Sequence, residues 1–140
     1  MKIIICGSMS AHKKMSETKN TLTQMGHIVE MPNLDNIDKQ VDKDGNSLET
    51  AQIKIENDLI RGYFKKIQES DVVLVVNEDK KKTKGYIGAN SFLELGFGYV
   101  LGKKIFLLNN YTKKLSCSDE ITAMEPIILN GDLDKINQYL

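Results

Sequence analysis

Lys2-Ile3-Ile4-Ile5-Cys6-Gly7-Ser8-Met9 is a nearly continuous apolar run that breaks at once into a Gly-Ser turn. A run with no polar alternation suits a strand buried on both faces, as in a parallel sheet covered by helices. The same texture returns in Asp71 to Val76, Lys104 to Leu108 and Pro126 to Leu129. His27 to Met31 is a shorter and more polar candidate, which belongs at an edge. Between the first two strands, Met15, Thr18, Leu22 and Met25 repeat at helical spacing, and Gly26 supplies the stop. A second helix is expected from about Leu48 to Ser70, carrying Leu59, Ile60, Tyr63, Phe64 and Ile67 on one side. A third runs from about Ser91 to Leu101, and a short fourth spans Asp132 to Tyr139. This alternation predicts an open α/β parallel sheet with right-handed crossovers, strand order 2-1-3-4-5, in one domain over 1–140.

Composition narrows the partners. Lys plus Arg number 19, as do Asp plus Glu, so the formal charge is zero. Nothing suggests the basic footprint that duplex nucleic acid or an anionic membrane selects. The two cysteines, Cys6 and Cys117, make no metal-ligand pattern, and the only histidines, His12 and His27, lie far apart. The expectation is a cytoplasmic protein with no membrane span, no metal and no cofactor, whose partner is small or another protein. Asn33 to Ser47 is polar and reads as a surface loop or lid, and Lys80, Lys81, Lys82 and Lys84 form a basic run.

In open α/β sheets, ligands sit beyond the carboxyl ends of the strands where the chain order reverses, here between strands one and three. Strand one runs into Gly7-Ser8-Met9-Ser10, and His12, Lys13 and Lys14 open the next helix, so an anion site is plausible there. Strand three ends at Asn77-Glu78-Asp79, and beyond the lysines comes Gly85-Tyr86-Ile87-Gly88-Ala89-Asn90-Ser91. From Gly85 to Gly102, Glu94 is the one side chain that ionises near neutral pH. Two readings of Glu94 stand side by side. Ser91-Phe92-Leu93-Glu94 matches a capping box, in which Ser91 caps the helix and Glu94 reaches back to it. Alternatively, a lone carboxylate in an apolar helix at the crevice is there for chemistry. Gly96 and Gly98 within this helix make sense if it must approach the sheet or a ligand closely.

Ile3-Ile4-Ile5-Cys6-Gly7-Ser8, Ser70-Asp71-Val72-Val73-Leu74-Val75-Val76, and Glu94-Leu95-Gly96 followed by Gly102-Lys103-Lys104-Ile105 resemble, in order and spacing, the nucleoside 2-deoxyribosyltransferase superfamily. That group also includes the 2′-deoxynucleoside 5′-phosphate N-hydrolases. The resemblance covers most of Met1 to Leu108. It implies a Rossmann-like five-stranded sheet with helices on both faces, homo-oligomers with active sites near subunit contacts, and a catalytic carboxylate at Glu94. The chemistry is breakage of an N-glycosidic bond through an oxocarbenium-like transition state, which a carboxylate stabilises or traps.

A second acid usually assists the leaving base, and here the chain departs from the family. Tyr63 stands where the family commonly has an Asp ahead of the third strand, and Gly88 stands where the transferases have an acid before the Glu. Asp58, Glu78 and Asp79 are the substitutes, with Asp79 preferred as the second catalytic group. Gly7, Ser8, Met9, Asn77, Tyr86, Gly88, Asn90 and Ser91 are the expected substrate-binding residues, with Tyr86 stacking on a base and Asn90 on a sugar hydroxyl or phosphate. The partner so implied is a nucleoside or nucleoside 5′-monophosphate. The alternative is a nucleotide-binding or sensing module that kept the fold without the chemistry. Phosphoribohydrolases related to cytokinin-activating proteins rank lower, because their fuller glycine signature is absent.

Overall fold

A computed structural model describes residues 1–33 and 51–140. Its strands are β1 (Lys2–Cys6), β2 (Ile28–Glu30), β3 (Val72–Val75), β4 (Lys104–Leu107) and β5 (Ile127–Ile128). All pair in parallel in the order β2-β1-β3-β4-β5, as the apolar runs predict. β2 lies at an edge, where its polar character costs little.

The helices are α1 (His12–Gln24), α2 (Ala51–Glu56), α3 (Leu59–Gln68), α4 (Ala89–Val100) and α5 (Ser118–Ala123). The sheet is buried on both sides. Ile3, Ile5, Val72, Leu74 and Phe106 pack with Met15 and Leu22 of α1 and with Ile136 of a C-terminal 3-10 turn, Leu133–Gln138. Ile4, Cys6, Val73, Val75, Ile105 and Leu107 pack on the opposite face with Ile67 of α3, Leu95 of α4 and Ile121 of α5. Strand alternation divides each run between two helical layers, which is why no polar face appears in the sequence.

Four expectations need correction. The helix expected over Leu48 to Ser70 is two helices, because Asp58 adopts a left-handed backbone (φ 47°) that ends α2 and starts α3. The expected fourth helix is the 3-10 turn, and α5 was not anticipated. α4 begins at Ala89, ahead of Ser91. The loop or lid reading of Asn33 to Ser47 falls almost wholly outside the described residues. Among those residues, no helix is long and apolar enough to cross a membrane.

Gly98 explains how α4 lies so close to the sheet. A Cβ there would come 2.7 Å from Val73 Cγ2 and 3.1 Å from Ile105 Cγ2. Gly96 faces open space, and nothing in the structure explains it.

Candidate active site

A cleft of about 610 Å³ opens at the carboxyl ends of β1 and β3, where the strand order reverses. After β1 the chain contributes Gly7, Ser8, Met9 and Ser10, with the Ser8 and Ser10 hydroxyls paired at 2.7 Å. After β3 it contributes Lys80, Tyr86 and the start of α4, namely Gly88, Ala89, Asn90 and Ser91. The α2–α3 segment closes the third side with Lys54, Asp58, Tyr63 and Lys66. Glu94 lines this cleft and is half-buried in it. Seven of the expected binding residues are therefore brought together with Glu94: Gly7, Ser8, Met9, Tyr86, Gly88, Asn90 and Ser91.

The capping-box geometry is absent. The N-cap of α4 is Gly88, whose carbonyl accepts from the Phe92 N–H at 2.9 Å, and no side chain caps the helix. Ser91 is already inside the first turn, and Glu94 lies deeper still. Its negative charge is felt at the buried Cys6 thiol at the end of β1. Cys6 is fully buried, and that burial, followed by the negative charge of Glu94, holds its thiol well above the ordinary value of 9.0. The Tyr63 hydroxyl stands against the same thiol and donates to the Ile5 carbonyl. Burial first, then Cys6 and Glu94, hold this phenol well above its ordinary 10.0. Both groups keep their protons at neutral pH.

Two expected site residues lie elsewhere. The Asn77 side chain is fully buried as a clamp between strand ends: it donates to the Asn109 carbonyl (2.7 Å) and accepts from the Asn109 N–H (2.9 Å). Asp79, the preferred second acid, accepts from the Gly85 N–H at 2.8 Å and lines a separate hollow with Glu78, Lys84, Asn109, Asn110 and Asn130. The cause is the tight turn at Lys81 and Lys82, both with positive φ, which pairs Lys80 with Thr83 and folds Asp79 back on Gly85. Gly85 itself (φ 63°) admits no side chain, since a Cβ would meet the Asn110 carbonyl oxygen at 2.0 Å.

Among the described residues, the second carboxylate lining the cleft is Asp58, ion-paired to Arg61 at 3.7 Å. Three cations also line it. Lys54 donates to Asn90 Oδ1 (3.2 Å), Lys66 lies 4.0 Å from Glu30, and Lys80 covers the Tyr86 ring at 5.1 Å. The basic run is thus divided: Lys80 enters the cleft, Lys84 enters the other hollow, and Lys81 and Lys82 form the exposed turn. Sequence reasoning missed Lys54 and Lys66 as part of this site. Neither carried a signal, because a lysine on a helix reads as a solvated surface charge. Chemically, the cleft offers one carboxylate at its base, a second at its rim, and cations for an anionic substrate. No three His, Cys, Asp or Glu side chains cluster as metal ligands among the described residues.

No family model matches the chain, and no curated protein matches it. Among solved structures it is similar to the CMP N-glycosidase BcmB of Clostridium botulinum, with 12% identity and a TM-score of 0.57 over 99% of this chain and 98% of that one. That likeness, end to end and at low identity, shows a shared Rossmann-like α/β fold.

Proposed function

We propose that this protein cleaves or transfers the N-glycosidic bond of a nucleoside or nucleoside 5′-monophosphate, with Glu94 as the carboxylate beneath the sugar. The carrying observation is Glu94 in the β1/β3 cleft, away from any capping role, among residues suited to a sugar phosphate. The full-length fold likeness to a CMP N-glycosidase supports the same reading, as does the ordered resemblance to nucleoside 2-deoxyribosyltransferases. In the reaction, the bond from the sugar's anomeric carbon to the base nitrogen breaks, and its electron pair leaves with the base. Glu94 stabilises the positive charge left on the sugar or bonds to that carbon, and water or a second base completes the exchange. Asp58 is the candidate proton donor to the leaving base, in place of Asp79. Ser8, Asn90, Lys54 and the free N–H groups at the start of α4 suit a phosphate or sugar hydroxyls.

A homo-oligomer is part of this proposal. Ile60 on α3 and Leu93, Tyr99 and Val100 on α4 are large, apolar and exposed, beside the cleft-forming helices. Incubation with a panel of nucleosides and nucleoside monophosphates, read by chromatography of free base, tests the function. Base release that disappears in Glu94→Gln supports it. A nucleotide that binds in calorimetry with no base released, equally well in Glu94→Gln, favours the sensing module instead.

A further inference from the structure

We propose that Ser91 is a specificity-determining residue: its buried hydroxyl bonds the 2′-hydroxyl of the substrate sugar, so the substrates are ribonucleotides rather than 2′-deoxyribonucleotides. This rests on the reading of Glu94 as the carboxylate beneath the anomeric carbon.

Among the described residues, the buried polar side chains are Thr18, Ser70, Asn77, Ser91 and Ser118, and Ser91 differs from the rest. Ser70 and Ser118 donate to the carbonyls of Lys66 (2.7 Å) and Lys113 (3.0 Å), and Asn77 is satisfied by Asn109. Thr18 keeps an unpartnered hydroxyl, but on the face of α1 that it shares with Met15 and Leu22, outside the cleft. Ser91, 2% exposed, lines the cleft, and its hydroxyl meets no hydrogen-bond partner among the described residues. The local chain explains this. Thr21, Thr23 and Thr122 turn their hydroxyls back onto the carbonyl four residues earlier in the same helix. For Ser91 that residue is Ile87, which precedes the extended N-cap Gly88 (ψ 176°) and stands outside the helical ladder.

A buried hydroxyl without a partner costs about 1–3 kcal/mol, so this one suits a group that arrives with the substrate. Glu94 indicates which group. Ser91 and Glu94 stand at i and i+3 on α4 and both line the cleft, a spacing that sets their Cβ atoms about 5–6 Å apart. With the carboxylate beneath the anomeric carbon, Ser91 is within reach of the atoms bonded to that carbon. One is the ring oxygen, which shares the positive charge of the oxocarbenium-like transition state, so a hydrogen bond donated to it opposes the reaction. The other is C2′, whose hydroxyl can both give and accept. Hydrogen bonds to this hydroxyl strengthen as charge develops on the sugar, so Ser91 serves rate and selectivity together. A 2′-deoxy sugar brings no such group and leaves the Ser91 hydroxyl unpaired.

The test compares base release from cytidine, uridine, adenosine and guanosine 5′-monophosphates with release from their 2′-deoxy and 3′-deoxy counterparts. In the wild type kcat/KM should favour the ribonucleotide over the 2′-deoxy form, and in Ser91→Ala that preference should fall by about 10–100-fold. A variant that loses activity equally on all three sugars, or whose loss tracks the 3′-hydroxyl instead, overturns the inference. Calorimetry in Glu94→Gln reads the same contact without turnover. There the ribonucleotide should bind about tenfold more tightly than its 2′-deoxy counterpart, and the difference should vanish when Ser91→Ala is added. Equal binding of the two sugars, or a difference that survives Ser91→Ala, overturns the inference. If the wild type releases no base, the catalytic reading of Glu94 fails, and the calorimetry still decides whether Ser91 reads the 2′-hydroxyl. A protein that binds none of these nucleotides overturns both.

Discussion

Cys6 of β1 and Tyr63 of α3 pack together on one face of the sheet, within reach of the charge of Glu94 on α4, and their burial makes protonation part of stability. The Cys6 thiol and Tyr63 phenol both hold their protons above their ordinary values of 9.0 and 10.0. In the unfolded chain these groups ionise near those values, so at higher pH unfolding releases protons that the folded state retains. Their stabilisation is therefore complete below about pH 9 and is lost as pH rises beyond it. The urea midpoint should fall from about pH 9 upward, and in Cys6→Ala the fall between about pH 9 and 10 should be shallower, with the part due to Cys117 remaining. Identical alkaline profiles for the two proteins would contradict the thiol's part in this.

Gly85→Ala should destabilise by well over about 1 kcal/mol in urea titrations, because a positive φ and a clash with the Asn110 carbonyl act together. Glu94 stood out in the sequence as the one ionisable side chain of its stretch, but the buried Cys6 that lies near it did not. The two come near one another only through the β1–α4 packing, and a buried cysteine reads as any small apolar residue. Asp79 looked suited to the crevice because it follows strand three, yet the tight turn after it draws its carboxylate to Gly85.

At the scale of elements, α4 carries a contrast that tests its packing. At Gly98 a Cβ would come 2.7 Å from Val73 Cγ2, too close to fit without a shift, so Gly98→Ala should cost about 1–3 kcal/mol by overpacking. Gly96 faces open space, so Gly96→Ala should stabilise by about 0.5–1 kcal/mol through helix propensity alone. Thermal or urea unfolding of the two variants checks both signs. The strands were readable because four of them are apolar on both faces, and only a sheet covered on both sides explains that. Helix boundaries were less readable. The N-cap of α4 is Gly88, which offers no side-chain signal, while Ser91 and Glu94 imitate one. The break at Asp58 follows from a left-handed residue that carries no glycine to announce it. α5 was missed for its polarity, although Asp119 and Glu120 in its first turn suit the helix dipole and were the available sign.

For the whole molecule, the sheet order decides where chemistry can occur. The crossover from β1 to β2 on one side and the later strands on the other place a crevice at the reversal, and the turn after β1 and the later part of the segment after β3 open into it. If the exposed apolar residues of α3 and α4 meet a second copy, light scattering will report a dimer or larger. Val100→Glu, at a position 83% exposed, should then shift it toward monomer without loss of helix content. The central claim is that Glu94 breaks a glycosidic bond. Its most direct measurement follows the anomeric proton of a nucleoside 5′-monophosphate by NMR during incubation with the wild type and with Glu94→Gln. The account predicts loss of the nucleotide signal with free base appearing in step, slowed by about 10²-fold or more in the variant. An anomeric signal unchanged by the wild type across the common bases, or lost equally fast with Glu94→Gln, would contradict it.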